Sequence, residues 1–212
     1  QKNGWNVTVI GRSASSCEDL RKLGMTTLAF DLEAKSVPSR DDVYDLIVWS
    51  AGIHQEGDIL DLQPRDIARV FRNHLEGPMQ FLVPLLRNAR EARRPVHLVV
   101  VASSSSYRVR TGEGLYGPCK AGKAQIARTL GREIPEHNPN SIVTLVNPGG
   151  MNTPFWEGRG YDVSRFMDPD VVASLTWDRM MEQRQAEVPF LEFHVDRIDG
   201  LPHIEYGVRA PV

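Results

Sequence analysis

Apolar runs of strand length alternate with longer amphipathic stretches along nearly the whole chain. This alternation constrains the fold more than any other feature. Strands separated by helices pair in parallel and need helices on both faces of their sheet. Val7 to Ile10 reads as a strand, followed by a helix to about Leu23; Thr26 to Phe30 and Asp45 to Trp49 are the next strands. Arg65 to about Arg90 repeats apolar residues at helical spacing, among them Ile67, Val70, Phe71, Leu82 and Leu85. Val96 to Ala102 is almost continuously apolar, as in a strand buried on both faces. Tyr116 to Ile134 predicts a helix stopped by Pro135, and Ile142 to Val146 a further strand. Asp168-Pro169 opens another helix with Pro in its first turn. Val188 to His194 is the expected last strand. The expectation is an α/β fold: a doubly wound parallel sheet in three α/β/α layers, a single domain over 1–195, with a tail at 196–212.

Length and composition exclude several classes. A chain of 212 residues buries one sizeable core. A formal net charge of −2 gives no basic surface for nucleic acid or anionic lipid. No apolar stretch approaches the roughly 20 residues that span a bilayer. Cys17 and Cys119 are the only cysteines, which gives no disulfide framework and points to a reducing, cytoplasmic setting. The six histidines have no metal-ligand spacing, so no metal is expected.

Small, polar or glycine residues gather where each strand should end: Gly11, Arg12 and Ser13; Asp31 with Leu32; Ser50, Ala51 and Gly52; Ser103 to Ser106; Asn147, Pro148 and Gly149. Ligands of open α/β sheets bind at the carboxyl ends of strands. Tyr116 and Lys120 stand four apart at a helix start and therefore share a face. A free tyrosine titrates near 10, and an adjacent cation favours its phenolate. Such a pair can pass a proton to a carbonyl oxygen as hydride reaches the carbon, with a serine hydroxyl orienting the same oxygen.

In that order and spacing, Val9-Ile10-Gly11-Arg12, Asp31, Ser50-Ala51-Gly52, Ser103-Ser104, Tyr116-x-x-x-Lys120 and Pro148-Gly149-x-x-x-Thr153 resemble the short-chain dehydrogenase/reductase superfamily, over about Gly4 to His194. The resemblance implies a Rossmann-like fold and a nicotinamide dinucleotide cofactor. It implies Tyr116 as general acid/base and Lys120 as the residue that lowers its pKa and holds the nicotinamide ribose. The strand pattern places the active serine at Ser104 and the family's commonest spacing places it at Ser103; Ser104 is narrowly favoured. Asp31, beside Leu32, resembles the acid that binds the adenine amino group. Ser50, Ala51 and Gly52 resemble the residues that line the cofactor, and Pro148, Gly149, Met151 and Thr153 resemble the segment facing the nicotinamide. Gly11 stands where NAD enzymes usually carry an acid, and Arg12 and Ser13 come next. A guanidinium suits a phosphate, so NADP is expected over NAD.

Three departures bear on function. The family's opening strand and glycine-rich turn are not seen, so an upstream strand-turn-helix segment in the middle of the sheet is expected. Ser50 replaces the usual asparagine. His74, with Asn73 beside it, stands where the family carries a relay asparagine, and a packing role is the expectation for it. Trp156, Arg159, Tyr161 and Phe166 fall in the lid region. The expected function is an NADP-dependent carbonyl/alcohol oxidoreductase acting on a small molecule, in a homodimer or homotetramer paired through its long helices. The alternative is a nucleotide-binding or scaffold protein that kept the fold and lost the chemistry. Epimerisation or dehydration of a nucleotide-linked sugar ranks below both, for want of a larger C-terminal region.

Overall fold

The computed structural model describes residues 4–12, 17–34, 41–198 and 201–207. The chain divides into two compact units, residues 1–39 and 40–212. In the first, β1 (Thr8–Gly11) and β2 (Thr26–Ala29) form a two-stranded parallel sheet, with Gly11 opposite Ala29. The helix between them is short, α1 (Glu18–Lys22), with acidic residues in its first turn and basic residues in its last, as the helix dipole favours. Because β1 and β2 run parallel, the segments after Gly11 and Ala29 leave from the same end of this sheet.

The second unit is built on a five-stranded sheet in the order β3 (Leu46–Trp49), β4 (His97–Val101), β5 (Ile142–Pro148), β6 (Phe190–Ile198), β7 (Leu201–Tyr206). The first three pairings are parallel and the last is antiparallel. The expectation of a tail over residues 196–212 is corrected. There β6 continues to Ile198 and β7 returns beside it, because a hydrogen-bonded edge satisfies backbone groups that an unpaired tail leaves to water. Phe193 and Val195 on β6, together with Ile204, pack the cluster beneath it.

Every residue of β5 is buried, and its alternate side chains serve opposite faces. Val143 and Leu145 join the core formed with α3 (Gly77–Glu91) and α4 (Tyr116–His137), through Leu82, Ala89, Ala124 and Ala127. Val146 joins the opposite cluster with Val172 of α5 (Pro169–Gln185). The result is a parallel-dominated sheet covered by helices on both faces, the Rossmann-like α/β arrangement that the sequence predicts. No helix among the described residues is long and apolar enough to cross a membrane.

Two helical expectations are refined. The stretch from Arg65 is not one helix: α2 (Pro64–Phe71) and α3 are joined by a π-helical turn, Arg72–Glu76. One extra residue in a turn rotates the rest of the helix about its axis, and here the turn buries Asn73 and His74. Pro135 does not stop α4, which runs on to His137. A proline within the last turn forfeits one backbone bond and leaves the rest of the helix intact.

Beneath the sheet lies a buried polar chain. His97 Nε2 is 2.7 Å from Thr144 Oγ1, Thr144 Oγ1 meets Gln183 Oε1, and Gln183 Nε2 donates to Val143 O at 3.0 Å and Val188 O at 2.9 Å. Burial, helped by Arg184, lowers the His97 pKa from 6.5 to about 4. Burial, helped by Lys120, lowers that of His74 from 6.5 to about 3. Below pH 6.5 the unfolded chain binds protons that these folded rings refuse, so their contribution is complete above 6.5 and is lost as pH falls toward about 3. Urea midpoints measured from pH 7 to 4 are expected to fall steeply. His97→Gln should flatten the part between 6.5 and about 4, and an unchanged slope would contradict that assignment.

Candidate active site

The carboxyl ends of β3, β4 and β5 meet the first turn of α4. Tyr116 is the first residue of α4, and Leu115 before it supplies no side-chain cap. The orphan N–H groups are satisfied from another segment: Gln55 Oε1 accepts from Leu115 N at 2.8 Å and from Tyr116 N at 3.3 Å. A buried side chain just beyond β3 therefore fixes where the phenol starts. Lys120 lies one turn later, and its Nζ is 5.5 Å from the Tyr116 ring centroid. Lys120 Nζ donates to Ala102 O at the end of β4, at 3.0 Å.

The serine that meets Tyr116 is Ser103. Its side chain acts on the phenol and opposes the rise of the phenol's pKa. Of the two serines left open by the sequence, the narrowly favoured Ser104 is the one engaged elsewhere. Ser104 is buried, and its Oγ accepts from Arg110 at 3.1 Å. The reason is local. The chain leaves β4 at Val101 and turns into a short 3-10 helix, Ser104–Ser106, for which Ser103 is the cap, so strand alternation no longer governs which hydroxyl turns toward Tyr116. The turn is held from several sides. Arg110 donates to Ser105 Oγ at 2.5 Å, Ser106 Oγ to Asn147 Oδ1 at 2.8 Å, and Tyr107 Oη and Arg108 to Asp196 at 3.2 Å. Asn147 Nδ2 in turn donates to Glu192 Oε1 at 3.2 Å, and Arg128 grips the Glu192 carboxylate through two nitrogens at 2.7 and 2.9 Å.

Burial dominates the electrostatics of both side chains. Burial pushes the Tyr116 phenol up to about 12 and the Lys120 amine down to about 8. Both charged forms lose water, and burial is the largest cause of each shift. A phenol titrating near 12 keeps its proton through neutral pH, which suits a proton donor.

His74 is fully buried beside Tyr116, with ring centroids 5.5 Å apart. Its Nε2 lies 2.5 Å from Ile53 O and 3.1 Å from Ile53 N, so either tautomer ties the π-turn to the segment after β3. A Cβ on Gly52 would sit 2.7 Å from His74 Cε1, so glycine is required there by close packing. The His74 ring is neutral and held by backbone.

The remaining sequence candidates divide by unit. In the second, Ser50 and Ala51 are exposed just past β3. Ala51 O accepts from Lys123 Nζ at 3.1 Å, a lysine wholly buried with its amine 4.6 Å from the Trp49 ring centroid. Pro148 ends β5 and Gly149 N donates to Val195 O at 2.9 Å. Met151 packs in the core beside β5 and β6, and Thr153 precedes the turn Pro154–Trp156. In the first unit, Gly11 ends β1 and Arg12 is exposed just beyond it. Asp31 is exposed and its carboxylate accepts from Glu33 N at 2.9 Å, with Leu32 half-buried beside it. Ser13 lies outside the described residues. The lid aromatics form one cluster: Trp156 lies 4.9 Å from Tyr161 and 5.1 Å from both Phe155 and Phe166.

Sequence patterning does not single out Gln55, Lys123 or Arg110. Lys123 has a signal, since it shares the helical face of Tyr116, Lys120, Ala124 and Ala127. Gln55 acts on a residue 60 positions away and Arg110 within an irregular turn, and no periodicity reveals such contacts.

A parallel α/β sheet whose strand ends converge on a serine, a tyrosine and a lysine defines a class of nucleotide-binding folds. The sequence pattern of the short chain dehydrogenase family matches residues 1–163, and this chain belongs to that family. The cyclic-di-GMP-binding biofilm dispersal mediator protein of Escherichia coli (strain K12) is 28% identical over 119 residues, 55% of this chain. The match takes in 48% of that relative, so the chain spans about half the length of the curated relative it matches. Among solved structures, a 3-ketoacyl-(acyl-carrier-protein) reductase from Brucella melitensis complexed with NADH aligns at TM-score 0.75 and 18% identity, covering 94% of this chain and 90% of that one. An acetoin dehydrogenase from Enterobacter cloacae aligns at TM-score 0.71 and 18% identity, covering 92% and 85%. At these identities the likeness is one of fold.

Proposed function

We propose that this chain interconverts a carbonyl and an alcohol with a nicotinamide dinucleotide, working as a reductase at neutral pH. The observation that carries the reading is the grouping of Ser103 and Tyr116 at the strand ends, with Lys120 one turn along the same helix. Tyr116 donates the proton to the carbonyl oxygen, Ser103 orients that oxygen, and Lys120 holds the phenol's surroundings positive. When bound, the nicotinamide supplies the hydride. The residues present suit such a group. Lys120 Nζ carries three donors and meets one acceptor among the described residues, which leaves N–H groups for a ribose hydroxyl. Ala51 and Gly52 keep side-chain bulk away from the end of β3. The primary test is oxidation of NADPH or NADH by the intact protein across a panel of small aldehydes and ketones; turnover with none of them overturns the reading.

NADP is the proposed partner, on the strength of exposed Arg12 following Gly11, without an acid at the end of β1. Arg12→Ala is expected to lower the NADPH-to-NADH ratio of kcat/KM by about tenfold, the size of one charge-assisted contact to a phosphate. An NADH preference in the unaltered protein would remove the assignment.

A second reading has a specific basis. The relative named for cyclic-di-GMP binding, together with Ser50 and His74 in place of the family's asparagines, favours a nucleotide-binding protein without turnover. Tight dinucleotide binding with no oxidation of cofactor by any carbonyl would support it.

A further inference from the structure

His54 stands outside every role described above. It lies two residues beyond Gly52, and its side chain has no solvent exposure. Its ring sits 5.2 Å from that of Tyr116, and 5.6, 5.3 and 5.9 Å from those of Phe155, Trp156 and Tyr161. Neither Nδ1 nor Nε2 has a hydrogen-bond partner among the described residues. A buried polar group left unsatisfied is costly, and a phenylalanine would fill an aromatic cluster without that cost. A histidine with both nitrogens idle, set between the proton donor and the lid, is what a site shows before its ligand supplies the partners.

The surroundings narrow the ligand. Burial lowers the pKa of His54, as does Arg159, while Glu113 and Glu56 oppose, so the ring is neutral at pH 7 and offers one N–H and one lone pair. The Glu56 carboxylate lies 4.0 Å from Nε2, and it would repel an anionic substituent. Aromatic walls suit an apolar remainder. We infer that His54 hydrogen-bonds a second, uncharged oxygen, a hydroxyl or carbonyl, on the carbon next to the one that Tyr116 serves, so the substrates are vicinal dioxygenated compounds with a compact apolar body. The inference rests on Tyr116 being the proton donor.

The test compares 1,2-cyclohexanedione with cyclohexanone as substrates of the intact protein with NADPH and NADH. A site that hydrogen-bonds a substrate oxygen discriminates against the analogue lacking it, so His54→Leu is expected to lower kcat/KM for the dione by at least about tenfold. Its kcat/KM for cyclohexanone should change by less than about twofold. His54→Gln, which keeps a donor and an acceptor, should restore part of the dione activity. Equal loss on both substrates, or no change on either, overturns the inference and leaves the oxidoreductase reading standing. No oxidation of cofactor by the dione, where other carbonyls of the panel are reduced, overturns the inference alone; none by any carbonyl overturns both.

Discussion

Tyr116→Phe is expected to reduce kcat/KM for carbonyl reduction by about 10²–10⁴-fold, the usual contribution of a positioned proton donor. The fold should survive. Phenylalanine keeps the ring that packs between His54, His74 and Phe155, and the substitution removes only the hydroxyl. Dinucleotide affinity and thermal midpoint should therefore stay close to those of the unaltered protein. Turnover within about threefold of the original would exclude Tyr116 as the donor, since it is far below the effect of losing general acid catalysis. The two serines sharpen the result. Ser103→Ala should also cost rate, whereas Ser104→Ala should act through the loop, because Ser104 Oγ is spent on Arg110. A larger rate loss for Ser104→Ala than for Ser103→Ala would reverse their assignment.

Arg128→Ala is expected to destabilise the fold by about 3–5 kcal/mol, the cost of stranding one member of a buried ion pair. Arg128 holds Glu192 through two parallel bonds, and the Glu192 side chain is only 2% exposed. Without the guanidinium the carboxylate keeps one donor, Asn147, with His194 Nε2 at 3.9 Å. Replacing both partners, as in Arg128→Met with Glu192→Leu, should recover much of the loss, because no stranded charge remains. Urea unfolding reads both variants. A loss below about 1 kcal/mol for Arg128→Ala would place the pair with exposed surface bridges instead. The pair also supports the site, since Asn147 links Glu192 to Ser106 in the serine turn.

Much of this protein is legible in one dimension. The alternation of apolar runs and amphipathic stretches predicts the parallel sheet and its helical cover, and the runs at β4 and β5 lie at its centre. Burial on both faces forces continuous apolar sequence, so such strands announce themselves. The edge strand β7 does not. Its residues alternate weakly and include Pro202 and Glu205, and an edge strand has one partner and one solvated side. The π-turn at Arg72–Glu76 is likewise hidden, because helical spacing carries on through one extra residue.

The same division runs through the site. Sequence by itself determined that Tyr116 and Lys120 share a helical face, that the strand ends carry small and polar residues, and that the chain resembles its family. All of these depend on spacing along one element. Only the tertiary structure decided that Ser103 rather than Ser104 meets the phenol, that Gln55 caps the first turn of α4, and that His54 lies buried with both nitrogens unspent. It also decided the sign of the Tyr116 shift, which burial raises where pairing alone would lower it. The serine choice turns on the short 3-10 turn that follows β4, which strand alternation does not foretell. The other three depend on which segments distant in sequence pack together, and the desolvation that follows is a property of the packed assembly that no local pattern encodes.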